Sequence, residues 1–200
     1  RWRSLEHDAT RAIEEYRGLK CGRLAVAASM TLGAYLVPEG LAEFHRRFPQ
    51  IELQLEIANT QQIQRALLDG SIELGLTEGP LDSDELESSV FFQDELVAIA
   101  PAGHPLLKRK NVSVREICRE PFILREAGSG TRAVVERALR RKGFKITPLL
   151  SLASPEAIKK VVAAGMGLAS VAKRTGKGEV QTGSVGVIAL KDLTIQRPLH

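Results

Sequence analysis

Residues 22–76 read GRLAVAASMTLGAYLVPEGLAEFHRRFPQIELQLEIANTQQIQRALLDGSIELGL, and their hydrophobic spacing switches repeatedly between two periods. Leu24 to Ala28 is an apolar run of strand length. Leu32, Leu36, Leu41, Phe44 and Phe48 recur at helical spacing, with Pro38 tolerated in a first turn. Ile51, Leu53, Leu55 and Ile57 alternate as a half-buried strand does. Ile63, Ala66 and Leu67 mark a helix entered at Asn59 or Thr60 and stopped by Gly70, and Leu74 to Leu76 is a buried strand. Strand, helix, strand, helix, strand predicts a parallel sheet covered by helices, with ligands at the carboxyl ends of its strands.

Three loops follow those strand ends: Ser29, Met30 and Thr31; Asn59 and Thr60; Thr77 and Glu78 before Gly79. Any one of them is explained as an ordinary helix cap. Their recurrence along one edge of one sheet raises a binding reading. After the extended run DELVAIAP (94–101) the alternation starts again, with a short helix at Val114 to Ile117 and then FILREAGSGTRA at 122–133. That segment reads as strand, polar glycine-rich loop and helix start. Free N–H groups and aligned peptide dipoles at such a start favour an anion, and Gly128 and Gly130 permit close approach to the backbone. Leu149 to Leu152 reads as a strand, Pro155 to Gly165 as a helix, and Leu168 to Val171 and Val185 to Leu190 as strands. The fold class is therefore α/β: two Rossmann-like lobes with a hinge, and a cleft between them where loops converge.

Bulk properties narrow the function. Two hundred residues with 44% hydrophobic content carry ample core for such a fold. The net charge of +4 is spread among interspersed charges of both signs, which is weak support for nucleic-acid contact by this segment. Cys21 and Cys118 are isolated from each other and from other ligands, so neither a disulfide framework nor a metal site is expected, and a reducing cytoplasm is the default. No run of 18 apolar residues suggests a membrane span. Residues 1–19 carry an amphipathic stripe of Leu5, Ala9, Ala12, Ile13, Tyr16 and Leu19, fit for packing on its own domain, on a second chain or on an upstream module.

Taken together, residues 22–76, DELVAIAPAGHPL (94–106) and SPEAIKKVVAAGMGLASV (154–171) resemble the effector-binding domain of LysR-type transcriptional regulators, over residues 5 to about 195. The resemblance implies a periplasmic-binding-protein-like (type II) fold with a small, anionic effector between the lobes, and no enzymatic activity or cofactor. It divides the chain into the end of a linker helix (1–21), lobe I (22–95) and lobe II with a truncated return to lobe I (96–200). It implies a cytoplasmic homodimer or homotetramer that meets DNA only through a winged helix-turn-helix module absent from this chain, and does not meet a membrane. Effector contacts would fall on Ser29, Met30, Thr31, Asn59, Thr60, Thr77 and Glu78. On the far wall they would fall on Arg125, Glu126, Gly128, Ser129, Gly130, Thr131 and Arg132, with Ser154 and Pro155 closing the site. The REAGSGTR loop is similar to that of regulators of carbon fixation and of sulfur or anion metabolism. Glu78 and Glu126 bring negative charge near a proposed anion site: either Arg125 and Arg132 neutralise them, or they face solvent, or the effector carries polar or cationic groups as well.

Other readings of the same residues are weaker. GSGTRA satisfies the loose GxGxxA dinucleotide pattern, but the next strand ends in Ala153, Ser154 and Pro155 where an acidic ribose ligand belongs. No GK[ST] follows the glycines, no GxSxG occurs, and His7, His45, His104 and His200 have no paired acid and nucleophile at a recognisable spacing. A free-standing solute-binding protein of a transport system would use the same two-lobed cleft and is the alternative; the amphipathic N-terminal stripe disfavours it.

Overall fold

The computed structural model describes residues 22–79, 81 and 83–200. The linker helix expected within residues 1–21, with His7 and Cys21, lies outside the described residues. In chain order the elements are β1 (Gly22–Ser29), α1 (Met30–Tyr35), α2 (Val37–Arg47), β2 (Ile51–Ala58), α3 (Thr60–Leu68), β3 (Leu74–Leu76) and β4 (Phe92–Pro101). A 3-10 turn (Pro105–Lys108) precedes α4 (Val114–Ile117), β5 (Phe122–Arg125), α5 (Gly130–Arg141), β6 (Leu150–Leu152), α6 (Pro155–Ala163), β7 (Leu168–Ala172), α7 (Lys177–Gln181), β8 (Val185–Val187) and β9 (Ile195–Leu199).

The first sheet has the order β2-β1-β3, all parallel. As its central strand, β1 is buried on both faces, which is why it reads as a continuous run of small apolar residues. Ala25 and Ala27 pack with Ile63 of α3, whereas Ala28 packs with Leu32 and Val37 from α1 and α2. Helices thus cover both faces. The second sheet runs β6-β5-β7-β4-β8, with β9 also paired to β4. Phe122, Leu124 and Leu168 share one core with Val135 and Leu139 of α5, while Ile123 and Ala169 face Ile158 and Val162 of α6. Alternate residues of the same strands feed the two layers.

Two elements fall where periodicity predicts none, α7 and β9. β9 has a physical reason: its inward positions are Ile195, Arg197 and Leu199, so a buried cation interrupts the apolar alternation. Pro198 also argues against a strand from sequence, yet β4 is the one named strand that β9 pairs with among the described residues, its other side carrying only an isolated bridge from Leu199 to Glu78, where a missing N–H is tolerable. This strand is decisive for the architecture. It runs antiparallel to the first half of β4, from Phe92↔Leu199 to Leu96↔Ile195. Ile195 sits in the core beneath the second sheet and Leu199 in the core beneath the first. Thr77 and His200 exchange two backbone hydrogen bonds at 3.0 Å, fastening the end of β9 to the end of β3. β4 and β9 therefore cross together between the lobes.

Candidate functional site

The strand ends and helix starts expected to bind a ligand converge in two separate places. In the first, the N-termini of α3 and α5 meet head to head. Asn59 caps α3 in a reciprocal capping box with Gln62. The Gln61 amide donates to the Gly128 carbonyl at 3.2 Å, and the Gly130 amide donates to Thr60 Oγ1 at 3.2 Å. Glycine at 130 is required here: a Cβ would lie 1.8 Å from the Glu78 carbonyl oxygen. The close approach that Gly130 permits is therefore that of the opposite lobe's backbone, where the sequence suggested a ligand. Gly128 has φ 86° and faces the side chains of Gln61 and Asn59. Ser129 caps α5, accepting from the Arg132 amide. Thr60, Ser129 and Arg132 line a groove of about 650 Å³ on this side.

In the second place, Thr31 at the start of α1 faces Arg125, Thr131 and Pro155 across a cavity of about 10 Å³, whose floor includes Ser170 and Thr175. Against it lies a second space of about 20 Å³ bordered by Thr31, Tyr35, Asp94, Thr175 and Arg197. Each has room for about one water, given that a cavity needs roughly 10–15 Å³ for one. Ser29 is buried as the cap of α1, and Met30, half-buried, is the first residue of that helix. Ser154 caps α6, accepting from the Ala157 amide at 3.2 Å. Thr77 is buried where β3 meets His200.

The charges find partners both within the loop and across the lobes. Arg125, 5% exposed, donates to both carboxylate oxygens of Glu126, the first of the alternatives open in the sequence. Glu78 differs. Its carboxylate lies 3.3 Å from Arg197 Nη1, with no contact to Arg125 or Arg132. Arg197 also donates to Asp94 and, at 2.7 Å, to Thr131 Oγ1. Arg132 points away from the small cavity, donating to Glu136 Oε1 at 2.8 Å and to the Arg125 carbonyl at 3.2 Å.

A further cluster joins the walls beside Thr175. Lys159 donates to Tyr35 Oη at 3.0 Å and to the Thr175 carbonyl at 2.9 Å, and lies 2.8 Å from Glu179 Oε1. Tyr35 donates to Glu156. Burial pulls the Lys159 pKa down, but the bonds to Glu179 and Tyr35 outweigh it and hold the ammonium above the ordinary lysine value. Burial pushes the Tyr35 phenol up, reinforced by Glu156 and opposed by Lys159. Burial also favours protonation of Glu156, yet the Tyr35 bond and Lys159 leave its carboxyl below the usual value. Tyr35, Asp94, Lys159, Thr175 and Arg197 are absent from the sequence-derived set. One signal was available: Pro155, Ile158, Lys159 and Val162 form an i, i+3, i+4, i+7 buried stripe with a lysine inside it.

Among the described residues no group of three or more His, Cys, Asp or Glu is placed to hold a metal, and no helix is long and apolar enough to cross a membrane. Residues 17–200 match the family described as the LysR substrate binding domain. The regulator CysL of Bacillus subtilis (strain 168) is 30% identical over 178 residues, covering 89% of this chain and 60% of CysL. The regulator CbbR of Rhizobium meliloti (strain 1021) is 36% identical over 187 residues, covering 93% of this chain and 59% of CbbR. The chain thus spans about three-fifths of the length of these curated relatives. Among solved structures, the Synechocystis PCC6803 CcmR regulatory domain in complex with 2-PG is similar with a TM-score of 0.81 and 31% identity, covering 89% of this chain and 85% of that one.

Proposed function

This chain belongs to the LysR substrate-binding-domain family, and from that premise we propose that it is the inducer-sensing part of a DNA-binding transcriptional regulator, with a small anionic metabolite as its effector. Membership makes it a non-catalytic regulatory domain with the type II periplasmic-binding-protein-like fold. A transport receptor shares that fold but not the family. On our reading residues 22–95 supply one wall of the effector cleft and residues 96–200 the other. DNA contact through a winged helix-turn-helix module, assembly as a homodimer or homotetramer and a cytoplasmic location belong to the same proposal for the whole protein.

The observation that carries the ligand reading is the hydroxyl-lined seam where Thr31 meets Arg125 and Thr131 across the lobes. Hydroxyls and a guanidinium serve an oxyanion well, and the similar CcmR domain holds 2-PG. Of the remaining family-aligned positions, Pro155 borders this seam, Ser29, Met30 and Ser154 form the helix starts beside it, and Glu126 pairs with Arg125, whereas Asn59, Thr60, Gly128, Ser129, Gly130 and Arg132 belong to the separate junction of α3 with α5, and Thr77 and Glu78 to the end of β3. Because the seam has room for about one water, an effector enters only as the lobes part. Its preference for one lobe arrangement is what it can transmit.

A thermal-shift screen of small carboxylates, phosphorylated sugars, nucleotides and sulfur oxyanions tests this. A ligand at 100 times its Kd stabilises the native state by about 2.7 kcal/mol. The active compound should lose affinity for Thr131→Val and keep it for Thr131→Ser, which retains the hydroxyl that Arg197 addresses. If no compound raises the melting temperature, or if the valine variant binds as the wild type does, the cleft assignment is wrong.

A further inference from the structure

Lys159 lies on α6 with its side chain 3% exposed. Lysines are rarely so buried unless paired, and this one uses all three N–H groups. Two are committed within its own lobe, to the Thr175 carbonyl at 2.9 Å and to Glu179 Oε1 at 2.8 Å. The third crosses to Tyr35 Oη of α1 at 3.0 Å. The acceptor on the opposite wall is thus a neutral phenol. Glu156 completes the group, taking the phenol's proton in a hydrogen bond and standing 3.5 Å from Lys159 Nζ.

Resting on the cleft reading above, we propose that Lys159 is the residue that reads the effector's negative charge, and that Tyr35 with Glu156 is an internal stand-in which an oxyanion of the effector displaces. The location fits. Tyr35 and Thr175 border the same small space as Thr31, and Thr31 and Thr175 also border the cavity that holds Arg125 and Thr131. An oxyanion taking the place of Tyr35 Oη would have Lys159 at one end and the Thr31 and Thr131 hydroxyls within the same seam.

Exchange of partners is favourable for a physical reason. An ammonium bonds an anionic oxygen roughly twice as strongly as a neutral one, so the entering ligand replaces the longest of the three contacts, one to a neutral oxygen, with a stronger one. Glu156 can withdraw, since its side chain is already 44% exposed and is hydrated in its new position. Glu179 remains, so the ammonium stays paired and charged throughout. A lysine suits this role, because a compact ammonium can keep its bonds to Thr175 and Glu179 while the third N–H meets an incoming oxygen at the place Tyr35 Oη leaves, whereas a guanidinium presents a fixed planar fork. The ligand class is a small molecule with a carboxylate or phosphate head for Lys159. The exchange also removes a direct bond between the lobes, Tyr35 to Lys159, and substitutes one made through the ligand.

Calorimetric titration with 2-PG as the probe tests the proposal in the wild type, Tyr35→Phe and Lys159→Gln. Tyr35→Phe keeps the ring and removes only the competing hydroxyl, so 2-PG should bind about 3–10-fold more tightly, the worth of one neutral hydrogen bond. Lys159→Gln should weaken binding at least ~10-fold and flatten its dependence on salt. Where Lys159→Gln does not melt cooperatively, the phenylalanine variant decides alone. Equal or weaker affinity in Tyr35→Phe, or an unchanged affinity and salt dependence in a folded Lys159→Gln, overturns the inference. So does failure of 2-PG to bind both the wild type and Tyr35→Phe. The cleft reading itself falls on different results: no compound of the thermal-shift screen stabilising the wild type, or undiminished binding by Thr131→Val.

Discussion

Replacing Arg197 by methionine probes how the two lobes are held at their crossing. The Arg197 side chain is 1% exposed and gathers Asp94 of β4, Glu78 beyond β3 and Thr131 of α5 around a single guanidinium. Methionine restores the stem but strands the carboxylates of Glu78, 2% exposed, and Asp94, 12% exposed, without a cation. Breaking one side of a buried ion pair in this way costs about 3–5 kcal/mol. Against a total stability of roughly 5–15 kcal/mol, that is a large share. Urea unfolding is the assay; with a slope of about 1–3 kcal/mol/M, the midpoint should drop by at least about 1 M. An internal standard is Arg46→Met, which removes an exposed pair with Glu43 (side chains 73% and 46% exposed) and should change stability by less than ~0.5 kcal/mol. Adding Glu78→Gln and Asp94→Asn to Arg197→Met should recover part of the loss, since neutral amides do not need the cation. If Arg197→Met costs no more than Arg46→Met, or if the amide substitutions deepen the loss, the cluster is not the desolvated lock that the geometry describes.

Three further substitutions test the local packing and electrostatics. Gly130→Ala places a methyl where the Glu78 carbonyl oxygen already sits, 1.8 Å away, and backbone cannot yield as a side chain can; a loss of about 3 kcal/mol or more by urea denaturation is expected. Gly143→Ala, at φ 80° with open space around it, should lose only about 1 kcal/mol, the strain of the left-handed conformation alone. The Glu116 carboxyl, held by the Ser113 amide and hydroxyl and by Arg109, is lowered to about 2. Its folded pKa is depressed, so its contribution is present above the ordinary carboxylate value of 4.5 and is lost as pH falls from there through about 2. Carboxyl carbon chemical shifts should show Glu116 titrating in that low range, and Ser113→Ala should move the titration upward; an ordinary midpoint in the wild type would contradict the capping box.

Physical differences between local and non-local information decide which parts of this molecule could be read from the sequence. β1 was legible because a central parallel strand must be apolar on both faces, and β2 because an edge strand keeps its alternation. Ser29, Asn59, Ser129 and Ser154 were legible because each caps the helix that follows it, so the signal lies within three residues of chain. Neither property says what a cap faces. In sequence Thr60 reads as a helix start and Gly130 as the end of a polar loop, but that they bond each other, 70 positions apart, follows only from the folded arrangement of the sheets. Lys159 and Tyr35 are 124 residues apart, and Arg197 and Asp94 are 103. Buried charge is the common cause of these omissions. A lysine inside the apolar stripe of α6 and an arginine at an inward position of β9 violate the hydrophobic pattern, and pattern reading treats such violations as noise or as a reason to deny the element. In a folded protein they are expensive unless paired. A charged residue at a position the period assigns to the core therefore predicts a partner of opposite charge from elsewhere in the chain. Here both such residues, Lys159 and Arg197, lie where the two lobes touch.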